Sequence, residues 1–307
     1  MNRWKKFLAA GLCSVVMASG LAYGGFEAAA SVKGGVPGRM SSLIPSAPGT
    51  TKYENKKVTV DASNISEGYV MVKYNGSGGK IKVQVIKSGG ETYTYDLNAR
   101  DAYEVFPFTE GNGTYTVKVF ENISGNQYMQ ASSNDLNVTL SSQFKPFLYP
   151  NQYVNFSDSS QVVTVAKSLA TSAQDQIGIV KNVYDYVTDN IVYDNAKASS
   201  VQSGYLPNVD QVLAQKKGIC FDYAAVMTSM LRSQNIPTKL VVGYTGSIYH
   251  AWVSVYLDNI GWVDNVIYFD GQDWKLMDPT FASSGKKSQE IMDYIGNSSN
   301  YKAKYSY

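Results

Sequence analysis

Three side chains in the second half of this 307-residue chain, Cys220, His250 and Asp278, are of the types that perform nucleophilic chemistry on a carbonyl group. The chain has one histidine and two cysteines, and the other cysteine, Cys13, lies near the N-terminus. A thiol that gives its proton to an imidazole, itself oriented by a carboxylate, can attack a carbonyl carbon and form a thioester. The residue types therefore predict a triad with Cys220 as nucleophile, His250 as base and Asp278 as the group that orients the base.

The residues around Cys220 predict that its thiol lies at the start of a helix. An apolar stretch begins at Cys220 and predicts a helix to about Arg232, and Gly218 would give the backbone freedom for a sharp turn before it. The first turn of a helix has unpaired N–H groups at the positive end of its dipole, which favour a thiolate and could bind an oxyanion. The alternative is that Cys220 is a small buried apolar residue.

His250 lies in a segment, Tyr249 to Leu257, whose alternating side chains predict a strand. The imidazole falls on the same face as Trp252, away from the more apolar face, so it could project toward the start of a helix. Asp278 follows a later predicted strand, and a neighbouring strand would bring its carboxylate beside the imidazole. Four aspartates are rivals for this role: Asp258, Asp264, Asp270 and Asp273. Alternatively, His250 is an ordinary packed or surface residue of the strand.

Other side chains near these motifs have different predicted roles. Asp222 is close to Cys220 in sequence, but its charge would oppose thiolate formation, so we interpret it as a charge at the helix N-terminus. Tyr193 and Trp252 are candidates for a second oxyanion donor. Five aromatic residues either wall a narrow channel or belong to the core: Phe221, Tyr249, Trp252, Trp262 and Trp274.

The first thirty residues predict a signal peptide cleaved after Ala30. Three basic residues precede a short apolar run at residues 7–16, and small residues occupy positions 28–30. A membrane anchor is the alternative, but the apolar run is too short for one. A lipoprotein signal is disfavoured because Leu12 is too large to precede the modified cysteine. We therefore expect a secreted protein without a membrane anchor.

Charge and cysteine content exclude several classes of function. The chain has 27 basic and 25 acidic side chains, and removal of three basic residues and one acidic residue with the predicted leader leaves the two signs equal. This balance gives no reason to expect binding to nucleic acid or to an anionic membrane. With Cys13 removed, the mature protein has one thiol and cannot form an internal disulfide. The absence of a Cys/His cluster excludes a zinc or iron site built on those ligands.

The chain divides into a spacer and two domains. Residues 31–50 are rich in glycine, proline and serine and predict a flexible linker. Residues 51–142 contain six or seven short strand patterns separated by glycine-rich turns, which predict an all-β immunoglobulin-like sandwich. The sandwich would be a spacer or packing module, or alternatively a ligand-binding or cell-surface module with exposed tyrosines.

A second domain, residues 155–307, is predicted to place helices before an antiparallel sheet. One helix is predicted to start near Ser172, where Asp175 forms a capping pair, and the Cys220 helix follows. Strands are predicted at residues 239–244, 249–257, 262–268 and 274–277. This order is typical of an α+β fold. The tail after Ser283 is polar and has no sorting motif.

Five segments, in this order, resemble the transglutaminase-like superfamily: Gly218–Ala224, Asn235–Pro237, Val241–Tyr244, His250–Val253 and Asp278–Thr280. The first is similar to the nucleophile motif of that family, and the last two are similar to its histidine and aspartate motifs. The resemblance covers about residues 160–282 and implies a papain-like α+β core that needs no cofactor. It also implies the roles given above for Cys220, His250 and Asp278. The stretch from 257 to 278 is longer than the family's hairpin, with 264–273 as the insert.

These features predict a secreted, monomeric, cysteine-dependent acyl-transfer enzyme that acts on peptide or protein amide bonds through a thioester. An amine acceptor would give a cross-link, and water would give hydrolysis. Expected substrates are proteins or peptides, with cell-wall or surface polypeptides as candidates. The superfamily that the chain resembles spans cross-linking enzymes, proteases, amidases and members without a triad. The alternative is therefore a non-catalytic binding or scaffold protein that retains the fold.

Overall fold

The structure, a computed structural model, describes residues 42–258, 260–264, 267–269, 274–276 and 300–307. The predicted signal peptide and residues 31–41 of the predicted linker lie outside these residues. Within the part of the chain that is described, no helix has the length and apolarity needed to cross a membrane.

Residues 52–138, the two-sheet region, contain eight strands in two antiparallel four-stranded sheets. The strands are β1 Lys52–Glu54, β2 Val58–Asp61, β3 Tyr69–Tyr74, β4 Ile81–Lys87, β5 Thr92–Leu97, β6 Tyr103–Pro107, β7 Gly113–Ser124 and β8 Gln127–Val138. One sheet has the order β1-β2-β3-β6, and the other has the order β5-β4-β7-β8. Alternation sets the faces, since Ile81, Val83 and Val85 of β4 are buried while Lys82 and Gln84 between them are not.

The tyrosines of the two-sheet region are mostly core residues. The prediction that they face solvent is wrong for five of them: Tyr69, Tyr74, Tyr93, Tyr95 and Tyr115 are all buried. Their rings occupy the inward positions of the strands, where a tyrosine ring contributes a large apolar area. Sequence alternation identified the strands but did not show which face a tyrosine would take.

Residues 42–50, the described half of the predicted flexible linker, lie against the rest of the protein. The backbone N–H of Ser42 donates to Oδ1 of Asp158 at 3.1 Å, and that of Gly49 donates to Oδ2 of Asp61 at 2.7 Å. The sequence did not predict these contacts, because a segment rich in glycine, proline and serine has no pattern that identifies its partners.

Residues 161–306, the helix-and-sheet region, begin with five helices. They are α1 Gln161–Thr171, α2 Gln176–Asn190, α3 Asn195–Ser200, α4 Val209–Gln215 and α5 Cys220–Ser233. The helix predicted to start near Ser172 is α2, but its N-cap is Asp175, whose Oδ1 accepts the N–H of Gly178 at 2.7 Å. Ser172 instead ends α1. The predicted α5 is confirmed, whereas α1, α3 and α4 were not predicted.

An antiparallel sheet follows α5, in the order β13-β12-β11-β16. Its strands are β11 Thr238–Thr245, β12 Ile248–Leu257, β13 Gly261–Val263 and β16 Tyr301–Ser306. Two further pairs are parallel β9 Val192–Tyr193 with β10 Lys217–Gly218, and antiparallel β14 Ile267–Phe269 with β15 Trp274–Leu276. The strand predicted at 262–268 is therefore two strands in different sheets, and β16 was not predicted.

Arg232 fixes the end of α5 to three other segments. Its guanidinium is fully buried and donates to the carbonyl oxygens of Thr238 at 2.9 Å, Tyr149 at 2.6 Å and Tyr307 at 2.6 Å. Burial lowers the pKa of Arg232 to about 9, so the group still carries its charge at neutral pH. One side chain thus joins α5 to β11, to the residue after β16 and to the segment between the two regions.

A cluster of tyrosines, the tyrosine junction, connects the two regions and consists of Tyr93, Tyr95, Tyr153 and Tyr307. Ring centroids are 4.5 Å apart between Tyr153 and Tyr307, and 5.9 Å apart between Tyr95 and Tyr307. The N–H of Ser306 donates to the hydroxyl of Tyr93 at 3.3 Å. Since burial raises the pKa of these four hydroxyls, the junction is uncharged at neutral pH.

Candidate active site

Cys220 is the first residue of α5 and is half-buried. The chain reaches it through a sharp change of direction at Lys216, which ends α4 with a φ of 52° in the left-handed region. Strand β10 then pairs with β9, and the N–H of Asp194 donates to the carbonyl of Gly218 at 2.9 Å. This pairing holds the residues just before Cys220 and so fixes the start of the helix.

Gly218 is needed for space. A Cβ atom at this position would lie 2.7 Å from Cβ of Asp222, whereas the φ of Gly218 is outside the left-handed region. The predicted reason, freedom for a sharp turn, is therefore wrong, and the turn is made at Lys216 instead. A side chain on Gly218 would displace the first turn of α5, which carries Cys220.

Asp222, in the first turn of α5, is fully buried and has three partners. Its Oδ2 accepts the N–H of Ile219 at 2.9 Å and pairs with Nζ of Lys197 at 2.6 Å, and its Oδ1 accepts the hydroxyl of Tyr205 at 2.6 Å. We call Asp222, Lys197 and Tyr205 the Asp222 network. The interpretation of Asp222 as a helix N-terminal charge is confirmed, and Lys197 compensates the negative charge that would oppose a thiolate at Cys220.

His250 lies on β12, opposite Gly243 of β11, and is buried. Its ring is stacked near Trp252, with centroids 6.4 Å apart, as expected for two side chains on one face of a strand. Cys220 and His250 both line one cavity of about 590 Å³. The structure thus brings together two of the three predicted triad residues, and their catalytic roles stay predictions.

Aromatic side chains form much of the cavity wall. They are Tyr153, Tyr193, Tyr205, Phe221, Tyr249 and Tyr307. Of the five aromatic residues with two predicted roles, Phe221 and Tyr249 line the cavity, whereas Trp252 is buried and Trp262 packs 5.2 Å from Phe147. The side chain of Trp274 lies outside the described residues.

The two candidates for a second oxyanion donor differ in position. Tyr193 is the second residue of β9, where it pairs with Gly218 of β10, and it lines the cavity. Trp252 is buried and packs 5.2 Å from Tyr301. A Cβ atom on Gly243 would lie 2.8 Å from Cη2 of Trp252, so the indole fills the space that this glycine leaves. The structure therefore removes Trp252 and keeps Tyr193 as a candidate.

Asp278 lies outside the described residues, as do its rivals Asp270 and Asp273. The strand before it, β15, pairs with β14, whereas the described neighbours of β12 are β11 and β13. The prediction that this strand lies beside the strand of His250 is therefore wrong for residues 274–276. The role of Asp278 itself stays a prediction.

The two described rivals of Asp278 are too far from His250. Asp258 follows the end of β12, so at about 3.3 Å per residue it lies more than 20 Å along the strand. Asp264 follows Val263, which pairs with Val255, and is therefore also several residues away along the sheet. Neither carboxylate can orient the imidazole.

Sequence reasoning missed four residues near Cys220: Lys197, Tyr205, Tyr153 and Tyr307. They come from segments far apart in sequence, including the polar tail, and no periodic pattern connects them. No sequence signal connects Lys197 or Tyr205 with Asp222, and only the fold shows that they are its partners. Within the described residues, no group of three or more His, Cys, Asp or Glu side chains is arranged to hold a metal ion.

Comparison with known proteins gives one family and two curated relatives. Residues 163–265 match the family model of the transglutaminase-like superfamily. Uncharacterized protein YebA of Bacillus subtilis (strain 168) is 30% identical over 138 residues, which are 38% of this chain and 19% of that protein. UPF0252 protein MJ1282 of Methanocaldococcus jannaschii is 29% identical over 169 residues, which are 48% of this chain and 47% of that protein. The chain spans about a fifth and about half of these relatives.

Two solved structures overlap with the chain at lower identity. A candidate cysteine protease from Cytophaga hutchinsonii is 13% identical, with a TM-score of 0.37 over 78% of this chain and 83% of that one. Red sea bream transglutaminase is 12% identical, with a TM-score of 0.29 over 69% of this chain and 48% of that one. Identities and TM-scores this low carry no information about a reaction.

Proposed function

We propose, because residues 163–265 of this chain form a domain of the transglutaminase-like superfamily, that the protein is a cysteine-dependent acyl-transfer enzyme acting on peptide or protein amide bonds. The observation that carries the proposal is the meeting of Cys220, at the start of α5, with His250, the chain's single histidine, in the wall of one cavity. A thiol and an imidazole in such an arrangement are the two groups that thioester formation requires.

The proposed reaction has two halves. His250 takes the proton of the Cys220 thiol, and the thiolate attacks the carbonyl carbon of an amide. The tetrahedral adduct then expels an amine, which leaves with the proton from the imidazolium, and the acyl group remains on sulfur as a thioester. In the second half, an amine or water attacks the thioester, gives its proton to His250 and releases the thiol. Asp278 is proposed to orient the imidazole throughout.

Two features of the site would act on negative charge that develops at Cys220 during the reaction. Ile219, Cys220 and Phe221 all line the cavity, so the first turn of the helix, with its unpaired N–H groups, forms part of the wall. The positive end of the helix dipole therefore acts on the thiolate and on an oxyanion formed beside it. Lys197 cancels the nearby charge of Asp222, which would otherwise offset this effect.

We further propose that the two-sheet region is an immunoglobulin-like sandwich that braces the catalytic domain. Its two antiparallel four-stranded sheets, with consecutive strands β2 and β3 in one and β4 and β5 in the other, support this assignment. The tyrosine junction supports the bracing role, because Tyr153 and Tyr307 line the cavity while Tyr93 and Tyr95 pack behind them. Export through the predicted signal peptide, with wall or surface polypeptides as substrates, is part of the proposal.

Acylation by p-nitrophenyl acetate tests the proposed function. The full chain carrying Cys13→Ser has Cys220 as its single thiol, and mass spectrometry of its peptides locates the acetyl group. We expect acetylation of Cys220, followed by transfer to water or to added glycinamide. His250→Ala should slow acylation by roughly a hundredfold or more, since a general base contributes that much. Equal release of p-nitrophenol by Cys220→Ala and by its parent would contradict the proposal.

A further inference from the structure

We propose that the Cys220 cavity takes an internal, uncharged segment of polypeptide that carries a large apolar side chain next to the reacting carbonyl. The inference rests on the proposed function and adds the class of substrate to it. Three observations carry it: the described lining contains no lysine, arginine, aspartate or glutamate, Asp222 and Lys197 beside it are paired, and part of the lining exposes apolar side chains.

Lysine, arginine, aspartate and glutamate are absent from the cavity lining, as far as the described residues go. The chain as a whole has 27 basic and 25 acidic side chains, so a described lining with none of them differs from the composition of the chain. A substrate side chain with a full charge would lose its hydration in this cavity without gaining a partner among the described residues, which disfavours its binding. His250 is needed for the proton transfer with Cys220 and does not compensate a substrate charge.

The charged groups of the Asp222 network neutralise each other. Asp222 is two residues after Cys220 but is fully buried and paired with Lys197, and the ring of Tyr205 lies 4.3 Å from the Lys197 Nζ. Burial and the hydrogen bond to Asp222 both raise the pKa of Tyr205, so its hydroxyl is also uncharged. The network thus places no net charge behind the wall.

The Asp222 network also holds one side of the cavity in place. Residues 198–205 follow Lys197 and end at Tyr205. Those that line the cavity are small or uncharged. We call this segment the 198–205 wall. Lys197, the residue before this wall, is attached to Asp222 through the ion pair. Tyr205, the last residue of the wall, is attached to Asp222 through its hydroxyl. The wall is therefore fixed to the same helix that carries Cys220.

Another part of the cavity lining exposes apolar side chains. Ile248 is 62% exposed and Tyr249 is 57% exposed, and both line the cavity. Tyr244 packs on Tyr249, with ring centroids 5.4 Å apart, and is partly exposed as well. We call these three residues the hairpin ledge. Val201 of the 198–205 wall adds another exposed apolar group to the lining. Exposed apolar groups that are continuous with a cavity are typical of a recognition surface.

The same lining favours an internal segment over a free amino acid or a chain end. Either of those would bring an ammonium or carboxylate group into a cavity that offers it no ion pair among the described residues. A volume of about 590 Å³ is enough for a few residues of an extended peptide. The occupant that fits is therefore a loop or an unfolded stretch of a larger polypeptide.

Three alkylating probes test the substrate class: the amides of N-iodoacetyl-phenylalanine, N-iodoacetyl-aspartate and N-iodoacetyl-lysine. Each forms a C–S bond to Cys220 and releases iodide, and each rate is divided by the rate of the same probe with glutathione. With the full Cys13→Ser chain, we expect the phenylalanine probe to react faster than the other two by roughly tenfold or more.

Ile248→Asp locates the preference. A carboxylate on the hairpin ledge should slow the phenylalanine probe severalfold and speed up the lysine probe. Ile123→Asp is a matched control, because Ile123 is also 62% exposed but lies on β7 of the two-sheet region. It should leave all three normalised rates unchanged. Both sites are exposed, so neither variant is expected to prevent folding.

The outcomes separate this inference from the proposed function. Fast reaction with iodoacetamide but equal normalised rates for the three probes would overturn the substrate class and leave the reactive thiol in place. A faster aspartate or lysine probe would also overturn it. Resistance of Cys220 to every probe until the protein unfolds would overturn both proposals.

Discussion

The ion pairs of the two-sheet region and the charged side chains of the helix that carries Cys220 differ in their exposure to solvent. In the two-sheet region, ion pairs lie at the surface, as in the pair of Lys82 with Asp96 at 2.5 Å, where both side chains are about one-third exposed. In α5, Asp222 near the start and Arg232 near the end are fully buried, and each makes at least three hydrogen bonds.

This difference shows where the fold needs a fixed position. Burial of a charge is costly unless hydrogen bonds and an opposite charge compensate it, so buried charges are retained where they fix geometry. Asp222 fixes the first turn of α5 to the 198–205 wall, and Arg232 fixes the last turn to β11 and to the residue after β16. In the two-sheet region the buried carboxylate of Asp61 has a comparable role, since it accepts the N–H groups of Gly49 and Ser63. Its strands are otherwise defined by alternating apolar side chains.

Arg232→Met should have the largest effect on stability. The change removes the donor for three buried carbonyl oxygens, and we expect the free energy of unfolding to fall by about 3 to 5 kcal/mol. Urea unfolding followed by tryptophan fluorescence measures it. Arg100→Met is the matched control, since Arg100 is an exposed arginine of the two-sheet region. An equal loss in both variants would contradict the contrast between the regions.

Lys197→Met should have a smaller effect on stability and a distinct effect on Cys220. It leaves the carboxylate of Asp222 buried without its cation, and we expect a loss of about 2 kcal/mol, because Lys197 is itself partly exposed. The uncompensated charge should also slow alkylation of Cys220 at pH 7. Lys82→Met breaks a partly exposed pair of the two-sheet region and should change neither quantity measurably. Unchanged alkylation in Lys197→Met would show that the network is only structural.

Tyr95→Phe should have the smallest effect and act in the opposite direction. Its hydroxyl is buried without a hydrogen-bond partner among the described residues, so its removal should leave stability unchanged or raise it by up to about 1 kcal/mol. Tyr115→Phe is the control, because the hydroxyl of Tyr115 donates to Gly111 at 2.7 Å and its loss should be destabilising. The free energy of unfolding, measured with urea at pH 7, should therefore fall in Tyr115→Phe and should not fall in Tyr95→Phe.

The pH dependence of Tyr95→Phe sharpens this test. Burial raises the pKa of Tyr95 well above 10.0, so the folded state keeps the proton while the unfolded chain loses it above about pH 10. Its stabilising contribution is complete below pH 10 and is lost as pH rises from there toward the folded pKa. Tyr95→Phe should therefore lose less stability than the parent between pH 10 and pH 11. The same loss of stability in both proteins would contradict the conclusion that the Tyr95 hydroxyl keeps its proton in the folded state.

Local patterns were enough to predict the parts of the site that follow one another in the sequence. The apolar run after Cys220 predicted α5, and alternation predicted β11 and β12, which place His250. Six or seven short strands were also predicted for the two-sheet region, which has eight. Short helices such as α3 and α4 have too few turns for a periodic signal.

Contacts between distant segments could not be predicted from the same patterns. Strand β16 pairs with β11 across about sixty residues, and it brings Tyr307 from a polar tail into the cavity wall. Lys197 meets Asp222 only because the parallel β9–β10 pairing brings their segments together. A tyrosine or lysine in a polar segment fits a surface position equally well, so its partner is known only from the fold.

The central claim, that Cys220 and His250 form a reactive pair, is tested most directly by the pH dependence of Cys220 alkylation. Iodoacetamide is used on the full Cys13→Ser chain, with and without His250→Ala, and circular dichroism confirms that both proteins are folded. An ordinary thiol loses reactivity below a pH of about 8.5. We predict that the parent stays reactive at least about one pH unit lower and that His250→Ala abolishes this difference. Identical profiles typical of a free thiol, or no alkylation until unfolding, would contradict the account.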